Sequence, residues 1–238
     1  MGQRLNIEIL KGGKILANAY YHWSAYTLPA LELCKGIIEE YKKIRVDPAD
    51  TCDSDMYTEC LKEKVQFCER FKEDRPTIAR VKTAGEYDKK DEDVLLAIRL
   101  LESTGAGINE SELKEIIKGR ICQGITFRTA IDRNSGLISV TEKGIEETRC
   151  WQEGQATIDL DNKRILFGVF WTIDWKEYLE EFDINPEENP EQIPVAIENG
   201  IDIKDFSFED VDAVIAMVKN TEKTNILVDS ETVYAWVM

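Results

Sequence analysis

Two glycines near the N-terminus constrain this chain more than any other feature. In Arg4-Leu-Asn-Ile-Glu-Ile-Leu-Lys-Gly-Gly-Lys-Ile-Leu-Ala-Asn-Ala-Tyr-Tyr21, two runs of alternating apolar and polar residues flank Gly12-Gly13. A Gly-Gly pair suits a two-residue turn in which both central residues take positive φ, so the stretch predicts a tight β-hairpin. With Lys11 opposite Lys14, the two-residue period puts Leu5, Ile7, Ile9, Leu16, Asn18, Tyr20 and His22 on one face. Arg4, Asn6, Glu8, Ala17, Ala19, Tyr21 and Trp23 fall on the other. The first set reads as a core face. The second carries a cation, an amide and aromatics around small alanines, and reads either as a shallow binding surface or as a face packed against helices. A one-residue slip of register would exchange the two.

The rest of the chain alternates between helical and strand patterns. Thr27 and Pro29 open a helix with Leu28, Leu31, Cys34, Ile37, Ile38, Tyr41 and Ile44 on one side, ending before Asp47-Pro48. Further helices are expected at about Ser54–Lys72 and Asp91–Ser103. A short one follows Asn109, with Glu112 completing a capping-box-like pair, and stops at Gly119. From Gly124 the pattern turns to strands: Ile125–Ile131, a turn through Asp132–Gly136, and Leu137–Val140. Glu142–Trp151 is ambiguous. Ala156–Leu160 and Arg164–Trp171 read as another hairpin, and Asp174 with Glu177 caps a helix over Trp175–Phe182. Asn185–Pro194, with its prolines and glutamates, reads as a loop or hinge. Ser207 is expected to cap a last helix, and Asn225–Val237 to form terminal strands. The pattern predicts an α+β fold: antiparallel hairpins meeting in an antiparallel or mixed sheet, packed with amphipathic helices. The organisation is a single domain over 1–238, with a subdivision into 1–120 and 121–238 as the alternative.

Charge narrows the function. Against 30 basic residues stand 46 acidic ones, a formal net of −16, a field that opposes nonspecific binding to nucleic-acid backbones. It leaves room for a local cationic pocket holding a small anion, or for an acidic surface facing a basic host protein. Hydrophobic residues at 43% are enough for a packed core. No apolar run approaches the roughly 18 residues of a membrane span, and no basic-then-apolar leader opens the chain, so a soluble cytoplasmic protein is expected. The cysteines at 34, 52, 60, 68, 122 and 150 form no CxxC pair and read as structural thiols, with no metal and no cofactor expected.

The sequence carries no complete catalytic pattern. A histidine-dependent nucleophile would have to use His22, the single histidine, and Ser24 beside it sits in no nucleophile elbow. Gly105-Ala106-Gly107 lacks the spacing of a phosphate loop and reads as helix punctuation. The acidic pairs Glu146-Glu147 and Glu180-Glu181 read as solvated faces, leaving a carboxylate-based hydrolase as a minor alternative.

Anion binding has better material. Arg4 and the run Tyr21-His22-Trp23-Ser24-Ala25-Tyr26-Thr27 combine a guanidinium, stacking rings and hydroxyls, with Thr27 at a helix N-terminus. A second polar group, Arg128, Thr129, Arg133 and Asn134, lies on the central strand pair. Arginines for phosphate and aromatics for bases are the needs of a nucleotide pocket. The candidate ligand-binding residues are therefore Arg4, Tyr21, His22, Trp23, Ser24, Tyr26, Thr27, Arg128, Arg133 and Asn134.

Met1–Ile9 followed by Asn18–Thr27 resembles the opening of an uncharacterised protein family of Firmicutes and their phages. A looser likeness extends over Arg133–Arg149 and the acidic strand after it. The resemblance implies a phage or mobile-element context, where small proteins without catalytic motifs often act in counter-defence. They sequester a nucleotide immune signal or block a host defence protein. The expectation is a non-enzymatic binder of a small nucleotide-derived anion, with an acidic protein-interaction inhibitor as the alternative and a homo-oligomer compatible with either.

Overall fold

A computed structural model describes residues 3–46, 89–108, 128–130, 135–150, 152–169 and 174–224. It is an α+β fold with a seven-stranded mixed sheet of order β3-β4-β2-β1-β5-β6-β7. The strands are β1 (Leu5–Lys11), β2 (Lys14–Tyr21), β3 (Gly107–Ile108), β4 (Leu137–Ser139), β5 (Gly154–Asp159), β6 (Arg164–Phe167) and β7 (Asp205–Ser207). The α-helices are α1 (Thr27–Val46), α2 (Lys89–Glu102), α3 (Glu142–Arg149), α4 (Trp175–Glu181), α5 (Val195–Glu198) and α6 (Val211–Thr224).

The glycine pair behaves as its chemistry demands. Gly12 and Gly13 take φ of 60° and 69°, the signature of a tight turn that a β-carbon would strain, and β1 ends and β2 begins on either side. Beyond the hairpin, β1 pairs in parallel with β5, from Leu5 opposite Gly154 to Leu10 opposite Asp159. β5 and β6 form the expected antiparallel hairpin, and β7 pairs antiparallel with β6.

The chain divides into two compact units. One comprises 1–15, 22–35 and 151–238; the other comprises 16–21 and 36–150. In the first, Leu5, Ile7 and Ile9 are buried together with Ala156, Ile158, Ile165, Phe167 and Phe206. The start of α1 adds Leu31 and Cys34, and α6 adds Val211, Val214 and Val218. Ion pairs Lys35–Asp212 (2.5 Å) and Lys219–Glu32 (3.2 Å) tie α1 to α6. Gly154 belongs to this apolar layer, since a β-carbon there would lie 3.1 Å from Val169 Cγ1 and 3.3 Å from Ala25 Cβ. Burial also pushes the Cys34 thiol up to about 12, offset in part by a backbone hydrogen bond, which leaves it an inert core group.

In the second unit β4 pairs antiparallel with β2 and parallel with β3. Gly107 is therefore a strand residue rather than helix punctuation, and Thr129 bridges Ile108, so its partner is β3 rather than the strand beginning at Leu137. Gly107 has to be glycine, because a β-carbon would come within 2.3 Å of the Thr129–Ala130 backbone. The ambiguous stretch after Thr141 is helical: Thr141 Oγ1 accepts from Gly144 N and caps α3. An Arg99–Glu40 ion pair at 3.1 Å links α2 to α1.

One expectation changes in the C-terminal third. Ser207 ends β7 and donates to Asp210 Oδ2, and α6 begins only at Val211. Asn185–Pro194 runs as turns and a short 3-10 helix inside the first unit. The expected helices at 54–72 and after Asn109, and the terminal strands after Asn225, lie outside the described residues.

Gly136 has φ of 93°, and a β-carbon on it would sit 2.6 Å from Tyr21 Cε1 and 2.9 Å from Ala106 Cβ. Gly136→Ala combines a left-handed backbone with overpacking, and a loss of about 1–3 kcal/mol is expected. Urea unfolding should show a lower midpoint at an unchanged slope.

Candidate functional site

The face of β1 opposite its apolar side chains carries Arg4, Asn6 and Glu8, and both Asn6 and Glu8 are buried, Glu8 at 1% exposure. A carboxylate in that position needs donors, because an unpaired buried charge is far costlier than any single contact is worth. The parallel register supplies them by placing Gln155 beside Asn6 and Thr157 beside Glu8 on the same face. Gln155 Nε2 donates to Glu8 Oε2 at 2.8 Å and to Thr157 Oγ1 at 3.1 Å. The Thr157 hydroxyl then donates to Glu8 Oε2 at 3.5 Å.

The network extends outward through amides. Gln152 Nε2 donates to Gln155 Oε1 at 3.0 Å, and Asn6 Nδ2 donates to Gln152 Oε1 at 3.0 Å. Glu8 fixes the polarity of this chain. Gln155 turns its NH2 group to Glu8 and presents its oxygen to Gln152.

Above the network lies a solvent-open cleft of about 510 Å³ lined by Gln152, Glu153, Gly154, Gln155, Thr157, Leu166, Phe167, Gly168 and Lys204. Leu166, 45% exposed, gives it an apolar wall. Gly168 exchanges backbone hydrogen bonds with Gln155, and a β-carbon there would meet only Gln155 O at 3.6 Å. Arg4 braces the cleft through its main chain: its N–H donates to Glu153 Oε2 at 2.8 Å, and its carbonyl accepts from Glu153 N and Gly154 N.

Lys204 is the cation of the lining. Its carbonyl accepts from Phe167 N at 2.9 Å, which anchors it to β6, and its ammonium donates to Asp174 Oδ2 at 3.1 Å. Asp174 also caps α4 by accepting from Lys176 N and Glu177 N. Desolvation pushes the Asp174 carboxyl up, but the hydrogen bond from Lys204 and those two backbone donors outweigh it and hold it below the ordinary carboxylate value. The same hydrogen bond raises Lys204, against a desolvation that lowers it, with the charges of Asp174, Glu177 and Asp202 adding to the rise.

Of the residues singled out from sequence, Arg4 borders this cleft through its main chain, and the other described ones are not part of its lining. Arg4, His22, Trp23, Ser24, Tyr26 and Thr27 belong to the same unit as the cleft, yet only Arg4 reaches its wall. Trp23 and Tyr26 are exposed at 53% and 43%, and Trp23 stands edge-on to His22 at 4.9 Å between centroids. Thr27 is buried at the start of α1. Tyr21 belongs to the other unit, buried, its hydroxyl hydrogen-bonded to Thr104 Oγ1. Arg128 is in that unit too, exposed, its backbone N–H donating to Glu102 Oε1 at 2.6 Å. Arg133 and Asn134 lie outside the described residues.

The sequence reading passed over Glu8, Gln152, Gln155, Thr157 and Lys204. The available signal was a charged residue at the centre of the apolar run Leu5–Leu10, and glutamine and threonine alternating with small and apolar residues in Gly154–Asp159. Among the described residues no His, Cys, Asp and Glu group is arranged to hold a metal, and no helix is long and apolar enough to cross a membrane. Searches of protein-family models, curated proteins and solved structures gave no match to this chain.

Because Asp174 is held below its unfolded value, its contribution to stability is complete above about pH 4. That contribution disappears as pH falls through the lowered folded value. Thermal unfolding of Asp174→Asn against the parent from pH 7 to pH 2 should show a difference in midpoint that shrinks toward zero at the acid end.

Proposed function

We propose that this chain binds a small nucleotide-derived anion in the cleft between Gln152 and Lys204. The observation that carries the reading is the row of amides oriented by buried Glu8 beneath a cavity of about 510 Å³. That volume falls within the range of small-molecule sites, which combine apolar walls with a few fixed polar groups. Here Leu166 offers an apolar surface to a ring, the glutamines offer in-plane donors and acceptors to a heterocycle edge, and Lys204 offers positive charge to a phosphate. The chemistry is that of holding a ligand rather than transforming it. The resemblance of the N-terminal stretch supplies a biological setting, in which the bound nucleotide is a bacterial immune signal that the protein withdraws from circulation.

A second reading rests on the exposed pair Trp23 and Tyr26, three residues apart on a chain of net charge −16. Aromatics of this kind anchor protein interfaces, and the chain's net negative charge suits a basic host partner.

The test is thermal unfolding of the full chain against a panel of cyclic and linear nucleotides. A ligand present at about 100 times its Kd stabilises the native state by about 2.7 kcal/mol and raises the midpoint. Gly168→Val should leave the fold intact, since its β-carbon would meet only Gln155 O at 3.6 Å, while its branched side chain narrows the cleft and weakens the shift. A shift undiminished in Gly168→Val places the ligand elsewhere. Absence of any shift, together with host-protein capture that Trp23→Ala with Tyr26→Ala removes, favours the second reading.

A further inference from the structure

The unfilled valences of the cleft specify more than its size. Gln155 uses both amide hydrogens, on Glu8 and Thr157, and one lone pair of Oε1 on Gln152. Gln152 uses one amide hydrogen on Gln155 and one lone pair of Oε1 on Asn6. Glu153 uses Oε2 on the Arg4 N–H, leaving Oε1 to accept. What remains toward a ligand is a second lone pair on each glutamine oxygen, the Glu153 carboxylate, one amide hydrogen of Gln152, and the further ammonium hydrogens of Lys204. Acceptors on the amide and carboxylate side outnumber donors. Reversing Gln155 would break its hydrogen bond to Glu8 Oε2 and set two oxygens against each other.

We infer that the cleft selects a guanine-type heterocycle over an adenine-type one, an inference that rests on the nucleotide-binding reading above. Guanine presents two adjacent donors, N1–H and the exocyclic amine, followed by the O6 acceptor. That order meets the carboxylate and amide oxygens with its donors and the remaining Gln152 N–H with its acceptor. Adenine presents one exocyclic amine beside ring-nitrogen acceptors, so its N1 would face an acceptor with no hydrogen between them. Two acceptors facing each other repel, whereas a merely absent contact is tolerated. Lys204, with hydrogens beyond the one it gives Asp174, takes the phosphate. Glu153 is the residue whose charge decides the preference, because its carboxylate can only accept.

The experiment is calorimetric titration of the full-length chain with GMP, IMP and AMP at one salt concentration. GMP is expected to bind at least about tenfold tighter than AMP, the ratio that one well-made hydrogen bond commands. IMP, which keeps N1–H and lacks the amine, should fall between them. Glu153→Gln still accepts from Arg4 N–H but can present a donor to the ligand, and it should narrow the GMP to AMP ratio while leaving the unfolding midpoint of the free protein unchanged. Equal affinity for the three nucleotides, with binding weakened in Gly168→Val, would overturn the guanine preference and leave the nucleotide site standing. Binding of none of them, in a protein whose midpoint also ignores the wider nucleotide panel, would overturn both. A ratio unaltered by Glu153→Gln would likewise overturn the role given to Glu153.

Discussion

A carboxylate in the middle of a buried strand must be given hydrogen-bond donors, and Glu8 obtains its glutamine and threonine donors from β5, 147 to 149 residues along the chain. Much of this architecture follows from that requirement. Parallel neighbours cannot be joined by a tight turn, so everything from β2 to α3 serves as the connection that brings β5 beside β1. Once the register sets Thr157 against Glu8 and Gln155 against Asn6, the polar face of the two strands has one consistent set of hydrogen-bond directions. A slip of one residue would turn Ala156 and Ile158 toward the carboxylate and place Gln155 and Thr157 in the apolar layer, so register and polar network enforce one another.

The same argument accounts for the orientation of the amides on the cleft floor. Isolated glutamines are poor recognition elements, since their amides rotate and flip at little cost. Here each is held by a neighbour, and the row ends on the Glu8 carboxyl group. Orientation propagates from Glu8 to Gln155 and from Gln155 to Gln152, and Asn6 closes the row from the other side. A site whose donors and acceptors are fixed before a ligand arrives loses less conformational entropy on binding.

Local features were legible in the sequence, and pairings across the chain were not. The glycine turn at Gly12-Gly13, helix α1 from Thr27, the Asp174 cap and the β5–β6 hairpin all depend on neighbours within a few residues, and their residue types announce them. The cleft depends on β1 meeting β5, which no local pattern encodes. Polar residues alternating in Gly154–Asp159 look the same whether they face water or a buried carboxylate. The aromatic run from Tyr20 to Tyr26 drew attention because rings and a histidine cluster there, but its residues divide. Tyr20 and Tyr21 are core, while Trp23 and Tyr26 are surface. Gly107 shows the same limit on a smaller scale: its need for a missing β-carbon comes from Thr129 and Ala130, whose approach only the folded chain reveals.

Net charge finally decides what kind of binding this cleft can perform. With a formal −16 over the chain, the long-range field repels an anion, and Lys204 is itself flanked by Asp174, Glu177 and Asp202. Electrostatic steering therefore cannot be the source of affinity. If the cleft binds a nucleotide as proposed, attraction has to be short-range, from fixed amides and carboxylates meeting a complementary edge and from a ring lying against Leu166, with the ammonium acting only at contact distance. A site of the proposed kind discriminates by the pattern of donors and acceptors and not by total charge, so a field that opposes nucleic-acid backbones is compatible with a small, well-matched ligand.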